Sequence, residues 1–73
     1  MSRALNLDAS QEDVLAICER NKAPITQIEI LASGGTRVVL KSPDDAAIIG
    51  RHYKGRVIDG PVQRIPGRLS HQG

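Results

Sequence analysis

The densest group of charged side chains in this sequence lies between residues 51 and 56. Arg51, His52, Lys54 and Arg56 surround Tyr53, the single aromatic residue of the chain. Cationic side chains in such a group can bind phosphates or an acidic protein surface. The same residues could instead do no more than balance the negative end of a helix dipole. The sequence therefore predicts either a binding function for these residues or a purely structural one.

Residues that could carry catalysis are few and form no catalytic arrangement. Cys18, His52 and His71 lack the spacing of a zinc site, and no base can be assigned to activate Cys18. Cys18 falls on the apolar side of a predicted helix, which is typical of a small buried hydrophobic residue. Asp44 and Asp45 are adjacent at a helix start, where capping explains both. We therefore predict no enzymatic activity, no bound metal and no cofactor.

The composition limits the chain to one small domain. It has 73 residues, 40% of them hydrophobic, and a formal net charge of +2. A domain of this size buries only about 60% of the surface of its unfolded chain. A single cysteine cannot form an internal disulfide, and no apolar stretch approaches the roughly 18 residues of a membrane span. These features predict a cytoplasmic protein that does not enter membranes.

Charge is distributed unevenly along the chain. Residues 1–35 carry three basic and five acidic side chains, a net of −2, whereas residues 36–73 carry seven basic and three acidic ones, a net of +4. A basic half is typical of proteins that contact nucleic acid or an acidic protein surface. We therefore place any charged contact in the second half. The predicted partner-binding residues are Arg37, Lys41, Arg51, His52, Lys54, Arg56, Arg64 and Arg68.

Both predicted helices begin at capping residues. The first begins near Ser10, with the side chain of either Asp8 or Ser10 as the cap, and ends by Lys22. The second begins at Ser42, because a serine followed by proline and two aspartates is a strong helix start, and ends at Gly55. The predicted inner side of the first helix holds Val14, Ile17, Cys18 and Asn21, and Leu15 widens its apolar stripe. That of the second helix holds Ala46, Ile49 and Tyr53, with Gly50 as a further candidate.

Four strands complete the predicted order βαββαβ. The first is Ala4–Leu7 and the last is Val62–Ile65. Between them, β-branched residues alternate with polar ones on both sides of Ser33-Gly34-Gly35. The order predicts an α+β domain of the ferredoxin-like type, with a four-stranded antiparallel sheet and two helices on one face. This domain spans residues 1–65, and residues 66–73 are predicted to be a flexible tail.

The two middle strands are expected to form a hairpin with a three-residue loop at residues 33–35. This register places Ile30 opposite Val38 and Ile28 opposite Leu40, so that the apolar residues share one face. A two-residue loop would mix apolar and polar residues on both faces. The open face of the sheet is then predicted to show Gln27, Glu29, Arg37, Val39 and Lys41.

The segment from Asp45 to Ile65 resembles the end of an RNA-recognition-motif domain. A helix, the stretch Gly55-Arg56-Val57-Ile58-Asp59-Gly60 and a closing strand follow one another as in that family. The resemblance implies that single-stranded RNA would stack on aromatic residues of the two central strands. The matching stretches, Leu5-Asn6-Leu7 and residues 36–41, contain no aromatic residue. Because stacking contributes roughly 1–3 kcal/mol per base, we do not carry the RNA-binding residues over.

Three functions remain open, and docking onto a protein partner is the main prediction. In size and composition the chain resembles accessory proteins of temperate phages, some of which inhibit bacterial defence complexes such as CRISPR effectors. The alternative is nucleic-acid binding through the basic half, with an affinity that falls steeply as salt increases. The third is a homodimer formed through a sheet edge or the open face, with Leu31 and Val39 as its seam.

Overall fold

The computed structural model describes residues 2–63 and shows two helices packed on one face of a three-stranded antiparallel sheet. The predicted α+β class is confirmed, whereas the predicted tail, residues 66–73, lies outside the described residues. Neither helix in the described part of the chain is long and apolar enough to cross a bilayer. The strands are β1 (Ala4–Leu7), β2 (Ile25–Ile30) and β3 (Thr36–Leu40), in the order β1-β3-β2, and the helices are α1 (Gln11–Arg20) and α2 (Pro43–His52).

The predicted four-stranded sheet is wrong: the described residues form three strands, in an order that is compatible with the ferredoxin-like arrangement. Of the predicted last strand Val62–Ile65, the first two residues belong to no strand and the other two lie outside the described residues. The chain contacts the sheet earlier, through an isolated antiparallel bridge between Leu7 and Val57. Gly60 then takes a φ of +98°, and Pro61 has no amide to donate to a ladder. The pairing with β1 therefore does not develop into a strand.

Helix α1 begins where a side-chain oxygen accepts a free backbone amide. Ser10 Oγ accepts a hydrogen bond from the Asp13 amide at 3.1 Å, so Ser10, of the two candidate caps, is the one used. At the other end, the side-chain amide of Asn21 donates to the Ile17 carbonyl at 2.8 Å. Lys22 follows with a left-handed φ of 55°, which ends the helix close to its predicted end.

Helix α2 has the predicted start and a shorter extent than predicted. Ser42 Oγ accepts a hydrogen bond from the Asp45 amide at 3.1 Å, and Pro43 occupies the first helical position. The helix ends at His52 instead of reaching Gly55, with Tyr53 as its cap. Gly55 lies in the turn that follows, where its φ of +85° supplies the left-handed residue that reverses the chain.

The hairpin between β2 and β3 is shifted by one residue from its predicted position. The Leu31 amide donates to the Gly35 carbonyl at 2.9 Å, so the loop is 32–34 and not 33–35. Ile28 therefore lies opposite Val38, and the predicted pairing of Ile28 with Leu40 is wrong. Moving the loop by one residue changes each pairing by two, which leaves every side chain on its predicted face.

Gly35 determines where this hairpin can close. It has a φ of +90°, and a Cβ at this position would collide with the carbonyl oxygen of Leu7 in β1. Its neighbour Gly34 also has a positive φ, of +104°, but nothing lies within 4 Å of a Cβ built there. The close approach of β1 therefore requires glycine at the position just before β3.

The core lies between the two helices and the helix-facing side of the sheet. Cys18 is 1% exposed and Tyr53 is 2% exposed, so both are confirmed as core residues. Thr36 is the buried polar residue of this face, and its hydroxyl donates to the Ala9 carbonyl at 2.8 Å. The largest fully buried apolar side chains around them are Leu7, Val14, Val38, Leu40 and Ile49.

Candidate binding surfaces

The open face of the sheet, opposite the helices, is crossed by a row of polar side chains. Arg37 in the central strand lies opposite Asn6 of β1 on one side and Glu29 of β2 on the other. All three residues are half-buried. Because facing residues of antiparallel strands point to the same side, the row presents an amide, a cation and a carboxylate together. The neighbouring row of the same face consists of Ala4, Val39 and Gln27.

Asn6, in the middle of this face, has a side-chain atom whose hydrogen-bonding capacity is not used by the described residues. Its side-chain oxygen Oδ1 is buried and, among residues 2–63, has no hydrogen-bond partner. Its backbone carbonyl, in contrast, accepts a hydrogen bond from the Ile58 amide at 2.8 Å. A buried acceptor without a donor costs about 1–3 kcal/mol. We therefore expect asparagine at this position to lower the stability of the fold, and packing does not account for its presence.

Leu31 is buried at the hairpin end of the open face. Alternation along β2 places it on this face, yet it is only 2% exposed. The chain returns to the hairpin here, and the Gln63 carbonyl accepts a hydrogen bond from the Ala32 amide at 2.7 Å. Ser33 Oγ accepts a further hydrogen bond from the Gln63 amide at 2.9 Å. Leu31 is therefore covered by the chain itself, and of the two residues of the predicted homodimer seam only Val39 is partly exposed.

The basic group at the end of α2 surrounds Tyr53, which contacts an acidic residue of α1. Arg51, His52 and Lys54 are exposed, whereas Tyr53 between them points into the core. The Tyr53 hydroxyl donates a hydrogen bond of 2.6 Å to a carboxylate oxygen of Asp13. Burial and this hydrogen bond raise the pKa of Tyr53 above its ordinary value. The exposed cations therefore surround a contact that ties the two helices together.

Arg56 is bound to its own protein. Its Nε and Nη2 atoms donate hydrogen bonds of 3.1 and 2.7 Å to the Asp8 carbonyl. The guanidinium carbon also lies 5.6 Å from the centroid of the Tyr53 ring, within reach of a cation–π interaction. Two of its donor atoms are thus directed at the loop before α1. This arrangement gives Arg56 a structural role beside any contact it makes with a partner.

The predicted partner-binding residues do not share one surface. Side chains alternate along β3 and the helices cover only one of its faces, so residues close in sequence are separated in space. Arg37 lies on the open face, and Lys41 is exposed just after β3. The others are Arg51, His52 and Lys54 at the end of α2, Arg56 directed at the loop before α1, and Arg64 and Arg68 outside the described residues.

An apolar groove between β1 and α2 was not predicted from the sequence. It has a volume of about 290 Å³, and its walls include Leu5, Val57 and the small residues Ala46, Ala47 and Gly50. The described residues that line it carry no charge. The spacing of the small residues along α2 was a possible signal. It could not be interpreted before the position of β1 was known.

The described residues contain little that could support metal or thiol chemistry. Within residues 2–63, no three His, Cys, Asp or Glu side chains lie close enough together to hold a metal ion. Burial, with a smaller contribution from the charge of Asp45, raises the pKa of the Cys18 thiol. A thiol with a raised pKa has less of the nucleophilic thiolate.

Comparisons of this chain with protein-family models, with curated proteins and with solved structures find no match. The resemblance to RNA-recognition-motif domains therefore rests on the sequence pattern alone.

Proposed function

We propose that this protein is a non-catalytic module that docks onto a protein partner through the open face of its sheet. The observation that carries the proposal is the row Asn6, Arg37 and Glu29 across the middle of that face. An amide, a cation and a carboxylate side by side, next to the apolar Val39, match the mixed contacts of protein interfaces. The unsatisfied Oδ1 of Asn6 supports the same surface. A residue that is unfavourable for stability is expected mainly where it serves a function.

Nucleic-acid binding is the second candidate, and the exposed cations at the end of α2 favour it. Binding to phosphates requires several cations on one surface, because each neutralised phosphate releases counterions. In this protein Arg37 faces a carboxylate residue across the sheet, and Arg56 donates to its own backbone. Arg51 and Lys54 lie on the other side of the molecule from Arg37. We therefore rank a protein partner first.

The partner we propose is a bacterial defence complex, such as a CRISPR effector. The proposal follows from the size and composition of the chain, which resemble those of accessory proteins of temperate phages. An inhibitor that imitates nucleic acid is acidic, whereas this chain has a formal net charge of +2. The proposed mode of action is therefore to cover a surface of the complex directly, without imitating its nucleic acid.

Capture experiments with two matched variants test this function. Arg37→Ala and Lys54→Ala each remove one cation, the first from the open face and the second from the helix side. We expect a nuclease-resistant protein partner that wild type and Lys54→Ala retain equally and that Arg37→Ala retains at least about tenfold less, equivalent to about 1.4 kcal/mol. Circular dichroism of each variant confirms that the fold is intact. A partner that is lost after nuclease treatment would favour nucleic-acid binding, and equal loss with both variants would refute docking through the open face.

A further inference from the structure

The outer edge of β1 is only partly occupied by the protein itself. β3 pairs with one side of β1, and residues 56–58 lie along part of the other side. Two backbone hydrogen bonds of 2.8 Å hold this segment, from the Asp8 amide to the Arg56 carbonyl and from the Ile58 amide to the Asn6 carbonyl. The pairing is antiparallel and stops where Gly60 turns the chain away.

The remaining part of this edge lies at Ala4. The Leu40 amide donates to the Arg3 carbonyl at 2.8 Å, so the alternation of a β-ladder turns the N–H and C=O groups of Ala4 away from β3. Among the described residues, the Ser2 hydroxyl contacts both groups. It accepts from the Ala4 amide at 3.1 Å and donates to the Ala4 carbonyl at 3.3 Å. An incoming strand could replace these local, exposed contacts with ladder hydrogen bonds.

The groove between β1 and α2 runs beside this edge. Its volume of about 290 Å³ is bounded by Leu5 on the sheet and by Ala47 and Gly50 on the helix. A Cβ added at Gly50 would lie 3.7 Å from a methyl carbon of Leu5, which is an ordinary van der Waals distance. A methyl group would therefore fit there, and glycine leaves that space open. Val57 forms part of the same wall. The groove is therefore continuous with the segment that already pairs with β1.

We propose that this groove binds an extended, uncharged segment of the partner protein, which adds to β1 as a short antiparallel strand. A strand that follows the line of residues 56–58 would meet the outward-facing backbone groups of Ala4 and replace their contacts with the Ser2 hydroxyl. A side chain of this strand on the helix-covered side of the sheet would enter the groove, as Val57 does opposite Leu7. A charged side chain is disfavoured there because the described lining carries no opposite charge.

A second copy of the chain fits this site less well. In each copy, residues 56–58 already occupy part of the same edge, so two β1 edges cannot pair along their full length. The inference rests on the docking function proposed above and adds a second contact to it. The two contacts lie on different surfaces, which allows them to be tested separately.

A titration of the isotope-labelled full chain with short peptides tests the groove. The probe is the blocked hexapeptide Thr-Val-Thr-Val-Thr-Val, with Thr-Glu-Thr-Glu-Thr-Glu as the charged control. We expect the valine peptide to shift the amide resonances of Ala4, Leu5 and Gly50. Ala47→Glu should weaken this binding at least about tenfold, because it places a carboxylate in the groove. Ile48→Glu adds the same charge to an exposed position of α2 outside the groove lining and should leave binding within about twofold.

Each other outcome would overturn the inference. Equal binding of the two peptides, equal weakening by the two variants, or no shift at Ala4 and Gly50 would show that the groove does not accept an apolar strand. Shifts of the same resonances when the protein alone is concentrated would assign the site to a second copy. The titration involves neither Arg37 nor the natural partner, so failed capture with intact peptide binding would refute the proposed function alone.

Discussion

The two faces of the sheet are built from the same strands and differ in what covers them. In β3, Val38 and Leu40 have no exposed surface, whereas Arg37 and Val39 are half-buried. Consecutive residues of a strand point to opposite sides, and both helices pack on one side only. We therefore expect the helix-covered face to contribute most of the stability, and the open face is the one that we propose for partner contacts. Substitutions at adjacent positions of β3 should therefore affect stability and partner binding separately.

The largest expected effect compares Val38→Ala with Val39→Ala. The two changes remove the same atoms from neighbouring residues, one fully buried and one half-buried. We expect Val38→Ala to lower the free energy of unfolding by about 2–3 kcal/mol and Val39→Ala to lower it by less than about 1 kcal/mol. Urea denaturation followed by circular dichroism measures both. Equal losses would mean that the faces do not differ as described.

Tyr53→Phe tests a polar contact on the helix-covered side. The change removes the hydroxyl that donates to Asp13 and keeps the buried ring. A hydrogen bond to a charged group contributes about 1.5–3 kcal/mol, and we expect a loss near the lower limit because Asp13 is exposed. Urea denaturation at neutral pH measures the difference. An unchanged free energy of unfolding would show that the Tyr53–Asp13 contact adds nothing to the packing.

The same substitution has an effect that depends on pH. The pKa of Tyr53 is raised in the folded state, so above its ordinary value of about 10 the unfolded chain loses the proton first. The free energy of unfolding should therefore fall as pH rises beyond that value, by up to about 1.4 kcal/mol per pH unit. Tyr53→Phe should reduce this slope. The raised pKa of Cys18 acts in the same direction. In the Tyr53→Phe variant the free energy of unfolding should therefore still fall with pH, but less steeply.

The smallest expected effect, of opposite sign, is on the open face. Asn6→Val removes a buried acceptor without a partner and places a β-branched residue in a strand. We expect the free energy of unfolding to rise by about 1 kcal/mol, while capture of the proposed partner falls. Thermal denaturation and the capture experiment measure the two quantities. A decrease in stability would instead assign Asn6 a structural role.

The positions of helices and the faces of strands could be predicted because they depend on neighbouring residues. Ser10 and Ser42 cap their helices through contacts only three residues away. Cys18 and Tyr53 were placed in the core by helical spacing. Alternation also placed Arg37 and Glu29 on the open face, even though the predicted register was shifted. A shift of the pairing by two residues does not change the face on which a side chain lies. The prediction of which residues share the open face was therefore correct although the predicted register was wrong.

The register and the number of strands could not be predicted because they depend on distant contacts. The hairpin closes between Leu31 and Gly35 where Gly35 packs against the Leu7 carbonyl of another strand. The predicted last strand assumed that residues 62–65 pair with the sheet. The pairing instead occurs at Val57, as an isolated bridge, and Gly60 then turns the chain away. Local propensity does not distinguish these outcomes.

The sequence by itself determined the α+β class, both helix starts and the two faces of the sheet. Each of these follows from periodicity or capping, which act between residues close in the chain. The tertiary structure alone decided that the cations lie on separate surfaces, that Leu31 is closed off, and that β1 and α2 enclose a groove. These properties arise where segments far apart in sequence meet, and their energies depend on the packing of the whole chain.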